Sequence, residues 1–131
     1  MELTGTRVLL TGASGGLGQA IARRLARYGA ELTLTARNRP TLDSLADETR
    51  GTVVEADLSK RGEVQKLAKT LGDFDVLIAN AGVGGDVDGS NLGAKAIDAV
   101  MDVNLRAPMV LGGAFAQACI AALAQNAPLM P

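Results

Sequence analysis

The stretch best suited to chemistry is TGASGGLG, residues 11–18, which places four glycines among eight residues. It follows a short apolar run, residues 7–11, and precedes a segment with an apolar residue at each helical turn. These residues are Leu17, Ile21, Leu25 and Tyr28. Glycine is used where a backbone must turn tightly or approach another group closely. A strand, glycine turn and helix can present N–H groups to an anion, so the stretch predicts a phosphate-binding turn, with an ordinary tight turn as the alternative.

Composition limits the other classes of function. The 131 residues suggest one domain, and a net charge of −1 gives no electrostatic basis for binding nucleic acid or an anionic membrane. The sequence contains no histidine, so it predicts no histidine-based metal site and no Ser-His-Asp triad. The single cysteine, Cys119, excludes an internal disulfide and indicates a reducing, cytoplasmic location. We expect neither a signal peptide nor a membrane span, because no apolar run approaches about 18 residues.

The elements that must position the glycine turn alternate between strand and helix patterns, which indicates an α/β fold with a parallel sheet. The predicted strands are residues 7–11, 31–35, 52–56 and 76–79. The predicted helices are residues 16–28, 41–48, 60–71 and 91–103, and a last helix that has Pro108 in its first turn and ends near residue 125. Ser59 is the predicted cap of the third helix, and residues 83–89 are a predicted loop. The unbroken apolar fourth strand predicts burial on both faces.

Right-handed crossovers between these elements predict the strand order 3-2-1-4, with helices on both faces of the sheet. The result is a single Rossmann-like domain over residues 1–131. The glycine turn then lies at the carboxyl end of the first strand, where strand order reverses and ligands bind. This context favours the phosphate-binding interpretation, although the spacing is not the common G-x-G-x-x-G. The glycines read G-x-x-x-G-x-G and also G-x-x-G-x-x-G.

Four motifs in order resemble the N-terminal half of a short-chain dehydrogenase/reductase of the non-extended branch. They are T-G-x-x-x-G-x-G at residues 11–18, Asp57-Leu58 after the third strand, Asn-Ala-Gly at residues 80–82, and Asn104 before a long helix. The resemblance covers residues 1 to about 110. It implies a dinucleotide cofactor and hydride transfer between nicotinamide and a small carbonyl or alcohol substrate, with the cofactor supplying the chemistry.

The resemblance implies that the glycine turn and three later segments bind the cofactor. The turn contributes Gly12, Ser14, Gly15, Gly16, Leu17 and Gly18. Asp57 would accept a hydrogen bond from the adenine amino group, assisted by the Leu58 backbone; a turn or helix-start aspartate is the alternative. Asn80 would tie the fourth strand to its neighbour, and Ala81 and Gly82 would let the ribose approach the backbone.

The segment after the second strand predicts which dinucleotide is bound. An NAD site usually carries an acidic residue about 20 residues beyond the glycines. Here residues 35–39 read TARNR, and a guanidinium matches phosphate geometry. The sequence therefore predicts NADP(H) over NAD(H), with Arg37 on the 2′-phosphate, Ser14 or Asn38 assisting, and Arg39 as a second candidate. The alternative is that Arg37 is a solvated surface charge.

The family's proton-transfer residues are mostly missing. The resemblance implies a Tyr-x-x-x-Lys pair and an upstream serine, but Tyr28, the one tyrosine, is followed four residues later by Leu32. Its place on the apolar stripe predicts a core role. Only Asn104 matches the family's catalytic set. We therefore expect the chain alone to be inactive, either as a non-catalytic NADP(H)-binding module or as an inactive fragment, with a substrate only in a complete form.

The sequence also predicts an exposed sheet edge. From about Gly112 the chain becomes alanine-rich, which suggests truncation or a frameshift before the fifth strand of the family. The fourth strand would then lie at the edge of the sheet with unpaired N–H and C=O groups. Exposed apolar edges pair readily, so we expect a homo-oligomer through this edge, or aggregation.

Overall fold

The computed structural model describes residues 2–83 and 93–126 and has the predicted α/β architecture. The strands are β1 (Arg7–Thr11), β2 (Glu31–Ala36), β3 (Thr52–Glu55) and β4 (Val76–Ile78). The helices are α1 (Gly16–Arg27), α2 (Arg39–Thr49), α3 (Arg61–Ala68), α4 (Ala94–Met101) and α5 (Ala107–Asn126). A 3₁₀ turn spans Leu71–Asp73, and a π-helical turn spans Asp102–Arg106.

The strands form one parallel sheet in the order β3-β2-β1-β4, which confirms the predicted order. In the central register Val8 of β1 pairs with Leu32 of β2 on one side and with Val76 of β4 on the other. Because all four strands run the same way, their carboxyl ends meet at one edge. The glycine turn follows β1 at that edge.

Helices cover both faces of the sheet, as predicted. On one face Val8 and Leu10 of β1 pack in a cluster with Ala22 of α1 and with Leu42 and Leu45 of α2. On the other face Leu9 packs with residues of α3 and α5, among them Val64, Leu67, Ala107 and Leu111. The alternation of β1 side chains between two clusters places this strand, and the turn that follows it, at the centre of the fold.

Most helix bounds differ from the predicted ones by a few residues. α2 begins at Arg39, before Pro40, because the Asn38 side chain accepts a hydrogen bond from the Thr41 N–H at 3.2 Å. The predicted Ser59 cap of α3 is wrong: the capping position is Lys60, without a side-chain cap, and the Ser59 hydroxyl donates to Asp57 instead.

The fourth strand departs from its predicted burial. β4 is three residues long, and Val76 is 37% exposed while Leu77 and Ile78 are half-buried. Burial on both faces is therefore wrong for this strand among the described residues. The predicted loop lies outside the described residues from residue 84, and residues 91 and 92 of the predicted fourth helix lie outside them as well.

Pro108 does not begin a separate helix. α4, the π-helical turn and α5 form one continuous helix, Ala94–Asn126. Proline has no N–H for the carbonyl four residues earlier, which is that of Asn104, and its ring crowds that carbonyl. A π-helical turn widens the backbone at this point and lets the helix continue.

The expected absence of a membrane span stays a prediction, because one helix is long and apolar enough to cross a membrane by length and composition only. The long helix contains an 18-residue window of mean hydropathy 1.7, of which 11% is buried. Residues 107–126 carry no charge, but glycine, alanine and glutamine interrupt their apolar run. Core helices of soluble proteins pass the same test. The helix exposes large apolar side chains at helical spacing: Ile97, Met101, Leu105, Met109, Ile120 and Leu123.

Candidate functional site

A cavity of about 610 Å³ opens at the carboxyl ends of the strands. Arg39, the second candidate for the 2′-phosphate, does not line it, whereas twelve of the other residues predicted to bind a cofactor do: Gly12, Ser14, Gly15, Gly16, Leu17, Gly18, Arg37, Asp57, Leu58, Asn80, Ala81 and Gly82. Its wall also includes Thr35, Ala36, Asn38, Val83 and Val103. Segments as far apart in sequence as Gly12 and Val103 therefore converge on one concave surface, the arrangement expected at the switch point of a parallel sheet.

Two glycines of the turn are required by the protein itself. Gly12 has φ +65°, and a Cβ there would lie 2.7 Å from the Ala81 Cα. A Cβ on Gly18 would lie 2.1 Å from the Gly12 carbonyl oxygen. The turn is therefore pressed against both the end of β4 and the first turn of α1.

The other two glycines face open space. Gly15 has φ −75°, which any residue adopts, and a Cβ there would meet only the Gly12 oxygen, at 3.6 Å. A Cβ on Gly16 would meet nothing within 4 Å. Gly15 also precedes α1 without a side-chain cap, so no capping side chain covers the first N–H groups of the helix, whose residues line the cavity. Side chains here would fill the space that an anion needs, so the turn fits a phosphate or pyrophosphate group.

Side-chain hydrogen bonds join the turn to the end of β4. The Thr11 hydroxyl accepts from the Asn80 and Ala81 N–H groups, each at 3.0 Å, and the Asn80 amide donates to the Gly12 carbonyl at 3.2 Å. Thr11 is 1% exposed. Sequence reasoning missed its role, although a threonine that ends a buried strand directly before a glycine turn is a usable signal. These bonds support the predicted function of Asn80 as a tie between neighbouring strands.

The two arginines after β2 have different environments. Arg39 lies outside the cavity wall, where it pairs with Asp43 at 2.9 Å and lies 4.0 Å from Glu55. Arg37 lines the cavity and forms no ion pair among the described residues. Of the two, Arg37 has the guanidinium available to an anion in the cavity.

Asp57 is held in place by the residues that follow it. Its Oδ1 accepts from the Ser59 hydroxyl at 2.6 Å and from the Ser59 N–H at 3.0 Å, while the Asp57 N–H donates to Glu63 at 3.1 Å. The Ser59 hydroxyl is the main cause that lowers the pKa of Asp57, with smaller contributions from Arg37 and Lys60. The carboxyl is therefore an ionised acceptor at neutral pH.

Asn104, the predicted catalytic residue, does not line the cavity. It lies on the π-helical turn, where its Oδ1 accepts from the Val83 N–H at 2.8 Å and its Nδ2 donates to the Val83 carbonyl at 2.9 Å. This pair of bonds fastens the segment after β4 to the long helix. Asn104 thus acts on the cavity wall through Val83 and Gly82.

The described residues bring no proton-transfer pair to the cavity. Tyr28 lies on the far end of α1, half-buried, with its hydroxyl 3.4 Å from the Arg24 guanidinium. Its predicted core role is only partly right, because the ring packs under Arg24 at 5.5 Å. Within residues 2–83 and 93–126 no three His, Cys, Asp or Glu side chains could hold a metal ion.

Comparisons with known proteins agree with this geometry. A family model described as short chain dehydrogenase matches residues 6–126, which extends past the limit near residue 110 set by the motifs. A crystal structure of a metagenomic short-chain oxidoreductase in complex with NADP superposes with TM-score 0.80 and 38% identity, over 92% of this chain and 59% of that one. A short-chain dehydrogenase from Sphingobium yanoikuyae in complex with NADPH gives TM-score 0.80 and 31% identity, over 89% and 50%.

A curated relative is also matched over only about half of its own length. The 3-oxoacyl-[acyl-carrier-protein] reductase FabG of Rickettsia prowazekii (strain Madrid E) is 33% identical over 113 residues, which are 85% of this chain and 47% of that protein. The chain therefore spans about half the length of the curated relatives that it matches.

Proposed function

The chain belongs to the short-chain dehydrogenase family, and on that premise we propose that it binds a nicotinamide adenine dinucleotide in the cavity at the carboxyl ends of its strands. The observation that carries this proposal is the glycine turn. Gly12 and Gly18 are needed by the fold, whereas Gly15 and Gly16 leave open space beside the first N–H groups of α1. A pyrophosphate explains why that space is kept free.

We propose NADP(H) as the preferred cofactor. The end of β2 carries no acidic residue to bind a ribose 2′-hydroxyl, and Arg37 lines the cavity without an ion-pair partner among the described residues. Its guanidinium can donate several hydrogen bonds to a 2′-phosphate. Ser14 and Asn38 line the same wall and can assist.

The remaining wall residues are assigned to the rest of the dinucleotide. Asp57 and the Leu58 N–H bind the adenine edge, Asn80 fixes the junction between β1 and β4, and Ala81 and Gly82 allow close approach of a ribose. Leu17 is 68% exposed at the mouth of the cavity and shields the cofactor from water.

The bound cofactor supplies hydride transfer between its nicotinamide and a carbonyl or alcohol. The protein's part is to bind and orient the cofactor and to supply a proton. This chain has residues to orient the cofactor, but it carries no Tyr-x-x-x-Lys pair to supply the proton. Its one tyrosine, Tyr28, lies outside the cavity. A phenol, whose pKa is about 10, needs a neighbouring cation to act as a base at neutral pH. We therefore expect the 131-residue chain alone to bind cofactor without turning over substrate.

Two further properties stay predictions. Pairing of two copies through the β4 edge would add strands to the apolar stretch Val76–Ile78, and sedimentation velocity over a range of concentrations tests it: a monomer throughout contradicts it. A cytoplasmic location also stays a prediction, since one helix passes the length and composition test for a membrane span. Fractionation of cells into soluble and membrane pools checks it.

Fluorescence titration with NADPH and with NADH tests the proposed function. We expect NADPH to bind at least about tenfold more tightly than NADH, because only NADPH offers a phosphate to Arg37. Arg37→Ala should remove this preference. Arg39→Ala, two residues away on the same segment and paired outside the cavity, is the matched control and should keep it. If a folded chain binds neither dinucleotide, the glycine turn has only a structural role, and the inactive fragment is the better interpretation.

A further inference from the structure

The Ser59 hydroxyl has a partner that helix capping does not explain. α3 begins at Arg61 with Lys60 in the capping position, so Ser59 lies outside the helix. Its hydroxyl and its backbone N–H both donate to the same atom, Asp57 Oδ1, at 2.6 and 3.0 Å. Two donors on one carboxylate oxygen fix the rotation of the carboxyl group as well as its position.

The second carboxylate oxygen is left for a ligand. Among the described residues Asp57 Oδ2 accepts no hydrogen bond, and Asp57 lines the cavity. The next residue, Leu58, also lines the cavity, and its backbone N–H donates to no protein acceptor in the described ranges. The wall therefore presents one fixed acceptor beside one fixed donor.

We propose that Ser59 is a positioning residue that turns the Asp57 carboxylate so that Oδ2, together with the Leu58 N–H, selects a purine with a 6-amino group over one with a 6-carbonyl. This inference rests on the proposed dinucleotide function. Adenine offers a donor at its 6-amino group and an acceptor at N1, which complement the wall. Hypoxanthine offers an acceptor at O6 and a donor at N1, so both positions are mismatched.

Without the Ser59 hydroxyl the carboxylate has competing partners. Arg37 and Lys60 are close enough to lower the pKa of Asp57, although neither forms an ion pair with it. The Asp57 N–H donates to the Glu63 carboxylate, which also pairs with Lys60 at 3.7 Å. A carboxylate released by Ser59 can rotate towards these cations, while its backbone stays fixed. The loss would then fall on base selectivity and leave the fold in place.

The test compares NADPH with reduced nicotinamide hypoxanthine dinucleotide phosphate, which differs only in the purine. Dissociation constants are measured for the wild-type chain, Ser59→Ala and Ser59→Thr, with circular dichroism to verify folding. We expect wild type and Ser59→Thr to favour NADPH by about tenfold or more, since two hydrogen-bonding positions are mismatched in the analogue. Ser59→Ala should lower this ratio towards one and leave the affinity for the hypoxanthine analogue within about twofold.

The outcomes separate this inference from the proposed function. If wild type binds neither dinucleotide, the proposed function fails and the inference fails with it. If wild type binds both without preference, or if Ser59→Ala keeps the wild-type ratio, the inference alone is overturned. Equal weakening of both dinucleotides by Ser59→Ala would assign Ser59 a structural role and would also overturn it. A ratio that falls in Ser59→Ala and is restored in Ser59→Thr supports it.

Discussion

The two ends of the cavity differ in the chemistry that lines them. At the β2–β3 end, formed by Arg37, Asp57 and Leu58, the wall has a cation and an anion, and the anion is fixed by Ser59. At the β4 end, formed by residues 80–83 and Val103, the described wall has no ionisable side chain. One end is thus equipped to recognise a charged ligand, whereas the other can only contact it and exclude water. On the proposed function, binding and proton transfer are therefore separable in this fold, and the described residues are assigned to binding.

The largest effect is expected from a substitution that disrupts the glycine turn, which borders both ends of the cavity. A Gly18→Ala Cβ would lie 2.1 Å from the Gly12 oxygen and 2.8 Å from the Ala13 Cα, so backbone must move. We expect a loss of about 3 kcal/mol or more in the free energy of unfolding, measured by urea denaturation. Gly62→Ala on α3 is the control, because a Cβ there meets nothing within 4 Å. Equal stability of the two variants would contradict the packing described.

An intermediate effect is expected from a substitution that loosens only the β4 end of the cavity. Asn104→Ala removes both hydrogen bonds to Val83, each worth about 1 kcal/mol. We expect NADPH to bind several-fold more weakly, while 2′,5′-ADP, which reaches only the β2–β3 end, keeps its affinity within about twofold. Isothermal titration calorimetry measures both. If Asn104→Ala weakened the two ligands equally, the ends would not be independent.

The smallest expected effect is a pH dependence at the β2–β3 end. The pKa of Asp57 is lowered in the folded chain, mainly by the Ser59 hydroxyl. This contribution to stability is present above the unfolded pKa of about 3.9 and is lost as pH falls through the lower folded pKa. Ser59→Ala should therefore be less stable than wild type at pH 7, and the difference should fade below about pH 4. Urea denaturation across that range checks it, and a difference that grows in acid would contradict the assignment.

The pattern of strands and helices predicts the parallel sheet, and right-handed crossovers predict its strand order. The glycine turn is predicted from the residues themselves, whereas Asp57, Leu58, Ala81 and Gly82 are implied by the resemblance to the short-chain dehydrogenase/reductase family. Buried strands alternate with amphipathic helices, and glycines mark the turn. Two features set by contacts between distant segments were missed. Thr11 joins β1 to the end of β4, and Asn104 joins the π-helical turn to Val83. The spacing of apolar residues in the sequence does not indicate either of these contacts.

Two of the predictions that proved wrong have identifiable physical reasons. Serine is a residue type that often caps helices. At Ser59, however, Asp57 two residues earlier offers a stronger, charged acceptor for the hydroxyl. Proline usually interrupts a helix, so Pro108 predicts a new helix, whereas in the structure a π-helical turn absorbs the missing hydrogen bond. In both cases a local alternative competed with the usual preference of the residue.

The central claim is that the glycine turn keeps space for a dinucleotide's phosphates, and NADPH titration of Gly16→Val beside Gly62→Val tests it most directly. Both glycines lie in the first turn of a helix, and a Cβ on either meets nothing within 4 Å, so both variants should fold. We predict that Gly62→Val binds NADPH as wild type does. Gly16→Val should lose at least about tenfold in affinity, because its side chain fills the phosphate space. Wild-type affinity in Gly16→Val would contradict the account.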